Sequence, residues 1–351
     1  MAPLEIATGR SGAEVLTWSR GLVDPALREA VDRLPDAMRR VAGYHFGWSD
    51  EEGRPVEAGN GNGDRGGKAV RPALVLLAAR AVGGDAEQAV PAACAAELVH
   101  NFTLLHDDVM DGDVTRRHRR TSWAVFGSSA AILAGDALLT LAFDVLAGTG
   151  RATAGTGMRT LSTVLLELVD GQCSDIAFEK REDVDLLECV RMAAGKTGSL
   201  LGGACSLGAI FGGGDEEQIE RLRGFGEHVG LAFQFVDDLL GIWGDPGVTG
   251  KAVYSDLINR KKTLPVVATL TSGTPVAQEL ADLYHGDRRL SEDELARAAE
   301  LIESSGGRAW TEKQAEEHLA LALSSLHGAG LDTSAGAELA ALARLAVHRD
   351  R

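Results

Sequence analysis

The chain has 351 residues, 45% hydrophobic and 25% charged, enough to bury a sizeable core in one large domain or two. A formal net charge of −16 argues against nucleic acid as a partner, since a polyanion would be repelled. Aromatics at only 5%, with Ala and Leu dominating the apolar set, favour close-packed helices over sheet.

Residues 1–22 carry no strong signal and read as an extension. From Val23 to Phe46, Leu27, Val31, Leu34, Met38 and Val41 recur at helical spacing, with Asp24 and Pro25 as cap and first position. Residues 48–64, rich in Gly, Asn, Asp and Glu, read as a surface loop. Next come Lys68 and Arg71, three apart on a helix start where free N–H groups and the dipole favour an anion. Helical segments then recur without a linker, so an all-α, single-domain bundle of antiparallel helices is expected over 23–351.

The most apolar of these helices ends in His106-Asp107-Asp108-Val109-Met110-Asp111, followed by Arg116 and Arg117. Asp107 and Asp111, four apart, share one face and repel unless a cation sits against them. Hard oxygen ligands beside an anion-binding arginine pair fit Mg²⁺ held against a phosphate; the plainer reading is a solvated acidic patch at a helix end. About 130 residues on, Asp237-Asp238 again closes an apolar run. Carboxylates on opposed helices of a bundle build metal sites.

Between these pairs lie a helix over 128–146 containing Gly135-Asp136, a loop at 148–157, and a helix over 158–180 that puts Gln172 and Asp175 on one face. Lys196 interrupts an apolar helix, where an unpaired charge is expensive. Cys94, Cys173, Cys189 and Cys205 show no paired spacing and read as small core residues in a reducing compartment. No run reaches 18 consecutive apolar residues and the N-terminus lacks a charged start before an apolar stretch, so a cytoplasmic protein without an integral membrane segment is expected.

From about Gly66 to Pro265 these motifs, in this order, resemble the trans-polyprenyl diphosphate synthases, in particular geranylgeranyl and farnesyl diphosphate synthases. The resemblance implies an isoprenoid synthase bundle around a central cavity and condensation of isopentenyl diphosphate with an allylic diphosphate. It also implies Mg²⁺, three ions per active site, and a homodimer. It assigns the metal to Asp107, Asp111 and Asp237, with Asp108 and Asp238 behind them. Isopentenyl diphosphate falls to Lys68, Arg71, His100 and Arg117, and the allylic diphosphate to Arg116, Lys196, Thr197, Gln234, Lys251 and Lys261. Gln172 and Asp175 face the active site. Read alone, His100 would be a satisfied core histidine.

Two positions depart from the family pattern: His118 stands where Gly is usual, and Gly241 where the second motif has its last aspartate. Asp245, two turns beyond Asp237, is a candidate to substitute through water. Phe102 and Thr103, about one turn below Asp107, would set product length, because a turn of about 5.4 Å approximates one isoprene unit; Phe102 as plain core is the alternative. An aromatic there resembles some twenty-carbon synthases, so geranylgeranyl diphosphate is the expected product, with farnesyl diphosphate as the alternative. A class I terpene cyclase would lack Lys68, Arg71 and Arg117, and the chain has no Asn-x-x-x-Ser-x-x-x-Glu motif. A non-catalytic subunit of a heteromeric synthase is a third reading, hinted at by Gly241. Residues 275–351 read as outer-layer packing without chemistry.

Overall fold

A computed structural model describes residues 9–56, 69–249, 252–284, 288–328 and 330–348. Lys68 and Lys251 lie outside them, as do residues 57–64 of the expected loop. The fold is all-α. Its helices are α1 (Gly12–Asp32), α2 (Asp36–His45), α3 (Val70–Ala81), α4 (Val90–Met110), α5 (Ser122–Phe126), α6 (Ser128–Ala147), α7 (Ala154–Phe178), α8 (Leu186–Ala193) and α9 (Ser199–Gly212). They continue as α10 (Glu216–Trp243), α11 (Pro246–Thr249), α12 (Ser255–Ile258), α13 (Leu264–Leu270), α14 (Pro275–Tyr284), α15 (Glu292–Ser304), α16 (Gly307–Ser325) and α17 (Thr333–Val347). A π-helical turn, Ala194–Gly198, joins α8 to α9.

The described residues fall into two compact units, one within Met1–Ser162, Gly203–Arg223 and Leu326–Leu345, the other within Thr163–Gly202, Gly224–Ser325 and Ala346–Arg351. In the first, α4 is the hub. Its residues Ala92 to Ala96 are fully buried, and it packs most extensively on α6. Small residues make that closeness possible: a Cβ on Gly135 would lie 2.4 Å from the His106 ring. Likewise Gly208 and Gly212 bring α9 against the α3 carbonyls of Val75 and Ala79, where an added Cβ would stand 2.1 and 2.6 Å away. By length and composition α6 could cross a membrane, but its Ala131, Ala134, Leu138, Leu141, Ala142 and Leu146 are buried within the protein.

The first helix begins well before Val23, at a capping box in which Ser11 and Glu14 bond each other's backbone N–H. It runs through Pro25 despite the cost of an interior proline. The reason is tertiary: the stripe Val15, Ser19, Val23, Leu27 and Val31 is buried on both sides of the proline. Its start is held by Arg10, which pairs with the buried Glu338 at 2.8 Å, as Arg80 does at 2.7 Å.

The second unit centres on α10, whose Phe225, Val229, Ala232 and Phe235 are fully buried. Ile242, Leu257, Val266, Leu280, Leu295, Leu301 and Ile302 form a core that anchors α12 to α15. Three of the cysteines are buried as expected, but Cys173 is exposed. It shares an outward stripe of α7 with Leu166, Val169 and Ile176, all solvent-exposed; the apolar spacing on that helix therefore marks its outer side as well as its core.

Candidate active site

Asp107 and Asp111 occupy consecutive turns at the end of α4, where the Asp111 N–H donates to the Asp107 carbonyl at 2.8 Å. Asp108, between them, points inward and is 2% exposed. It accepts from Nε of Arg116 at 2.7 Å. Burial pushes its carboxyl up to about 6 while Arg116 pulls the other way. Asp108 is thus the strut that orients Arg116, and Asp107 and Asp111 share the adjoining face.

The expected arginine pair belongs to a hairpin of the only strands among the described residues, β1 (Thr115–Arg116) and β2 (Arg119–Arg120), with Arg116 on the first strand and Arg117 in the turn. Its two-residue turn is Arg117-His118, both left-handed, with φ of 49° and 59°. Such hairpins favour Asn-Gly or Gly-Gly because both central residues need positive φ. That explains why glycine suits position 118. Here the backbone carries strain of about 1 kcal/mol or more per residue to present Arg117.

Behind this hairpin lies a polar cluster that sequence spacing did not reveal. Glu97 is 5% exposed and Asn101 2%. Asn101 donates to Oε1 and the carbonyl of Glu97 at 3.0 and 2.8 Å, and meets His45 Nε2 at 3.1 Å. Arg71 and Arg117 both lower the cost of the Glu97 charge, which burial raises. Burial, then Arg71, Arg117 and Arg116, push the His100 imidazole well below its ordinary value, so it is neutral and can accept as well as donate. Arg71 is itself held down to about 10 by burial, and its Nε is buried without a hydrogen-bond partner. Arg71 and Arg117 therefore place two cations beside the neutral His100, with the Arg71 Nε–H left to donate, which suits a diphosphate. The signal in the sequence was Glu97, three before His100 and four before Asn101 on one face.

In the second unit, Lys196 and Thr197 ride on the π-turn, an irregularity frequent at functional sites. Glycines let it sit against α7: a Cβ on Gly171 would stand 2.3 Å from the Lys196 nitrogen, and one on Gly195 2.9 Å from the Glu167 carbonyl. Lys196 Nζ donates to Asp175 at 2.5 Å, which answers the cost of a half-buried cation. Gln172 shares that helix, 8% exposed, its Nε2 buried without a partner. Thr197 Oγ1 donates to Gln234 Oε1 at 2.7 Å, Gln234 Nε2 to Asp238 Oδ1 at 2.7 Å, and the Leu264 N–H to Asp238 Oδ2 at 2.8 Å. Both Asp238 oxygens are committed, and burial pushes its carboxyl up to about 7. Asp237, one residue earlier, is half-buried, as is Lys261, whose N–H donates to the Asp256 carbonyl at 2.9 Å.

The donor set fits Mg²⁺. Every candidate ligand is a hard carboxylate oxygen, and no Cys or His stands among them to favour zinc. Among the described residues no three His, Cys, Asp or Glu side chains gather as a ready-made cage. Mg²⁺ does not require one, because it binds through one or two carboxylates, waters and substrate phosphates. Asp245, the candidate to substitute for the absent aspartate, is exposed and accepts from the Gly247 N–H at 2.8 Å.

Residues 56–302 match the family model of polyprenyl synthetases. The chain is 48% identical to a (2E,6E)-farnesyl diphosphate synthase of Mycobacterium bovis, over 95% of this chain and 92% of that one. It is 44% identical to a geranylgeranyl diphosphate synthase of Mycobacterium tuberculosis, over 97% and 94%. Among solved structures, a polyprenyl synthetase from Streptomyces coelicolor superposes with a TM-score of 0.89 at 46% identity, covering 95% of this chain and 99% of that one. By sequence, fold and motif order, the chain belongs to the polyprenyl synthetase family and is a trans-prenyltransferase of the short-chain type.

Proposed function

We propose that the enzyme condenses isopentenyl diphosphate with an allylic diphosphate to give geranylgeranyl diphosphate, with a synthase domain that takes in α1 from Gly12 rather than starting at Val23. Arg71, His100 and Arg117, with Lys68, hold the isopentenyl diphosphate; Arg116, Lys196, Thr197, Gln234, Lys251 and Lys261 hold the allylic one. Asp107, Asp111 and Asp237 would hold three Mg²⁺, which supply neutralisation of the leaving diphosphate when bound. The allylic carbon–oxygen bond breaks, the isopentenyl double bond attacks the cation, and a proton passes to the departing diphosphate. Lys196, oriented by Asp175, and Arg116, oriented by Asp108, place fixed positive charge where that negative charge develops.

The product length rests on one contact. The Phe102 ring lies edge-on to His106, centroids 4.7 Å apart, and His106 is held at the Ile132 carbonyl at 3.0 Å. The side chain four residues below Asp107 is then the small Thr103, its hydroxyl turned back to the His100 carbonyl at 2.7 Å. A small residue there supports a chain longer than fifteen carbons. Farnesyl diphosphate is the second reading, favoured by the 48% identical relative of that name.

A homodimer in the cytoplasm completes the proposal. Leu166, 71% exposed on α7, offers apolar surface to a second copy, and the described cysteines form no disulfide. The test is incubation of the purified protein with Mg²⁺, isopentenyl diphosphate and, separately, dimethylallyl, geranyl or farnesyl diphosphate, with products identified by mass after dephosphorylation. A linear twenty-carbon alcohol is expected, and fifteen carbons would select the second reading. Hydrocarbon formed without isopentenyl diphosphate would mean a cyclase, and no product would mean a partner subunit; either overturns the proposal.

A further inference from the structure

On α4 the chain carries two carboxylates one turn apart on one face, Asp107 and Asp111. On α10 it carries only one, Asp237, and one turn further on stands Gly241. The structure shows what fills that place. A Cβ built on Gly241 would lie 1.9 Å from Oδ2 of Asp256 and 2.4 Å from its Cγ. Because positions i and i+4 of a helix project from one face, the Asp256 carboxylate occupies the volume that a side chain at 241 would take, one turn beyond Asp237. We propose that Asp256, delivered by the segment after α11, replaces the carboxylate missing from α10 and completes with Asp237 a two-carboxylate face for a divalent cation. This inference rests on the metal-dependent reading of the site given above.

The segment is built to hold that position. Asp256 is 8% exposed. The residue before it anchors to the helix, the Ser255 hydroxyl donating to the Gly241 carbonyl at 3.1 Å, and the Tyr254 N–H donates to the Ile242 carbonyl at 3.3 Å. Tyr254 adopts a left-handed φ of 62°, a conformation that costs a non-glycine residue about 1 kcal/mol or more. Following residues tie it from the other side through the Lys261 N–H on the Asp256 carbonyl at 2.9 Å. The two other acids close in sequence are accounted for: both oxygens of Asp238 accept hydrogen bonds from Gln234 and Leu264, and Asp245 is exposed and bonded to the Gly247 N–H. Glycine at 241 is therefore a condition of the arrangement, because any side chain there would displace the incoming carboxylate.

The test is a Mn²⁺ titration of the full-length protein, followed by electron paramagnetic resonance, in the presence of saturating inorganic diphosphate. Wild type is compared with Asp237→Asn, Asp256→Asn and the double variant Gly241→Asp/Asp256→Ala, with thermal melting to establish that each is folded. Asp237→Asn is expected to lose an ion, and Asp256→Asn to bind that same ion about tenfold or more weakly, the scale for removing an outer carboxylate of a metal site. The double variant, which returns the carboxylate to the helix and vacates the space it needs, is expected to recover most of the affinity. Unchanged Mn²⁺ binding in Asp256→Asn, with the ion lost in Asp237→Asn, would overturn this inference alone. Unchanged binding in both would overturn it together with the assignment of Asp237 as a ligand.

Discussion

The ends of α4 and α10 look alike in sequence, an apolar helix closing on an Asp-Asp pair, yet they are built differently. In both, the second aspartate is buried and spent on structure: Asp108 braces Arg116, and Asp238 receives Gln234 and the Leu264 backbone. In both, the first aspartate is half-buried. The helices part company one turn later, where α4 continues into its own Asp111 and α10 reaches Gly241 against Asp256. On the proposed reading, adjacent acids divide the work between ligand and strut, and a carboxylate is supplied from a neighbouring segment as well as from the helix itself.

The sharpest way to break that division is to exchange the roles of neighbours on α4. Asp107→Ala is expected to lower turnover roughly a hundredfold or more, the scale for losing one electrostatic contact at a reacting centre, with little change in melting temperature because the side chain is half-buried. Asp108→Asn is expected to do the reverse, lowering stability by about 1–3 kcal/mol through loss of the charged hydrogen bond to Arg116 while keeping more of the turnover. Steady-state kinetics paired with thermal melts separates the two; equal losses of activity with unchanged stability would mean that both aspartates are ligands.

On the α10 side the corresponding weak point is the glycine packing that seats the π-turn. Gly171→Ala would push a methyl to 2.3 Å from the Lys196 nitrogen. Backbone cannot yield as a flexible side chain does, so a cost of about 1–3 kcal/mol is expected. Lys196 would move from Asp175, raising KM for the allylic diphosphate more than for isopentenyl diphosphate. Equal effects on both substrates would show that the turn serves more than the allylic group.

How much of this was visible in the residues follows from the same contrast. Local spacing carries what lies on a single helix: the face shared by Asp107 and Asp111, the cost of an unpaired charge at Lys196, and the all-helical fold are readable because they depend on period and composition, whereas Asp175 as the partner of Lys196 is not. Nor are contacts between distant segments. Nothing in the chain order joins Asp256 to Gly241 or His45 to Asn101, and Pro25 reads as a helix start because local spacing does not show the buried stripe that carries α1 through it from Ser11. Cys173 was misplaced for a similar reason, since an apolar stripe on α7 does not announce that it faces outward.

His45 gives the first unit a pH signature of its own. Burial, then Arg116 and Arg117, lower its imidazole to about 3, although its hydrogen bond to Asn101 opposes this. Since the ordinary value is near 6.5, the folded state binds fewer protons than the unfolded state between those limits. The neutral ring's contribution is complete above about pH 6.5 and lost as pH falls toward 3. Denaturant midpoints taken from pH 7 to 4 should therefore drop more steeply in the wild type than in His45→Gln, which keeps a polar partner for Asn101 without titrating. Parallel slopes would mean that other groups govern the acid limb.

The smallest effect is expected at Asp245, and it bears directly on Gly241. Were Asp245 the stand-in for the missing aspartate, Asp245→Ala would weaken both turnover and metal dependence. Its side chain instead is exposed and closes a local turn onto the Gly247 N–H, a contact whose loss at the surface costs within about 0.5 kcal/mol. Turnover, the Mg²⁺ concentration for half-maximal rate and the melting temperature should all stay near wild type. A raised Mg²⁺ requirement in that variant would move the second carboxylate from Asp256 back to the α10 side of the loop, and the two acid helices would then be more alike than their side-chain packing makes them.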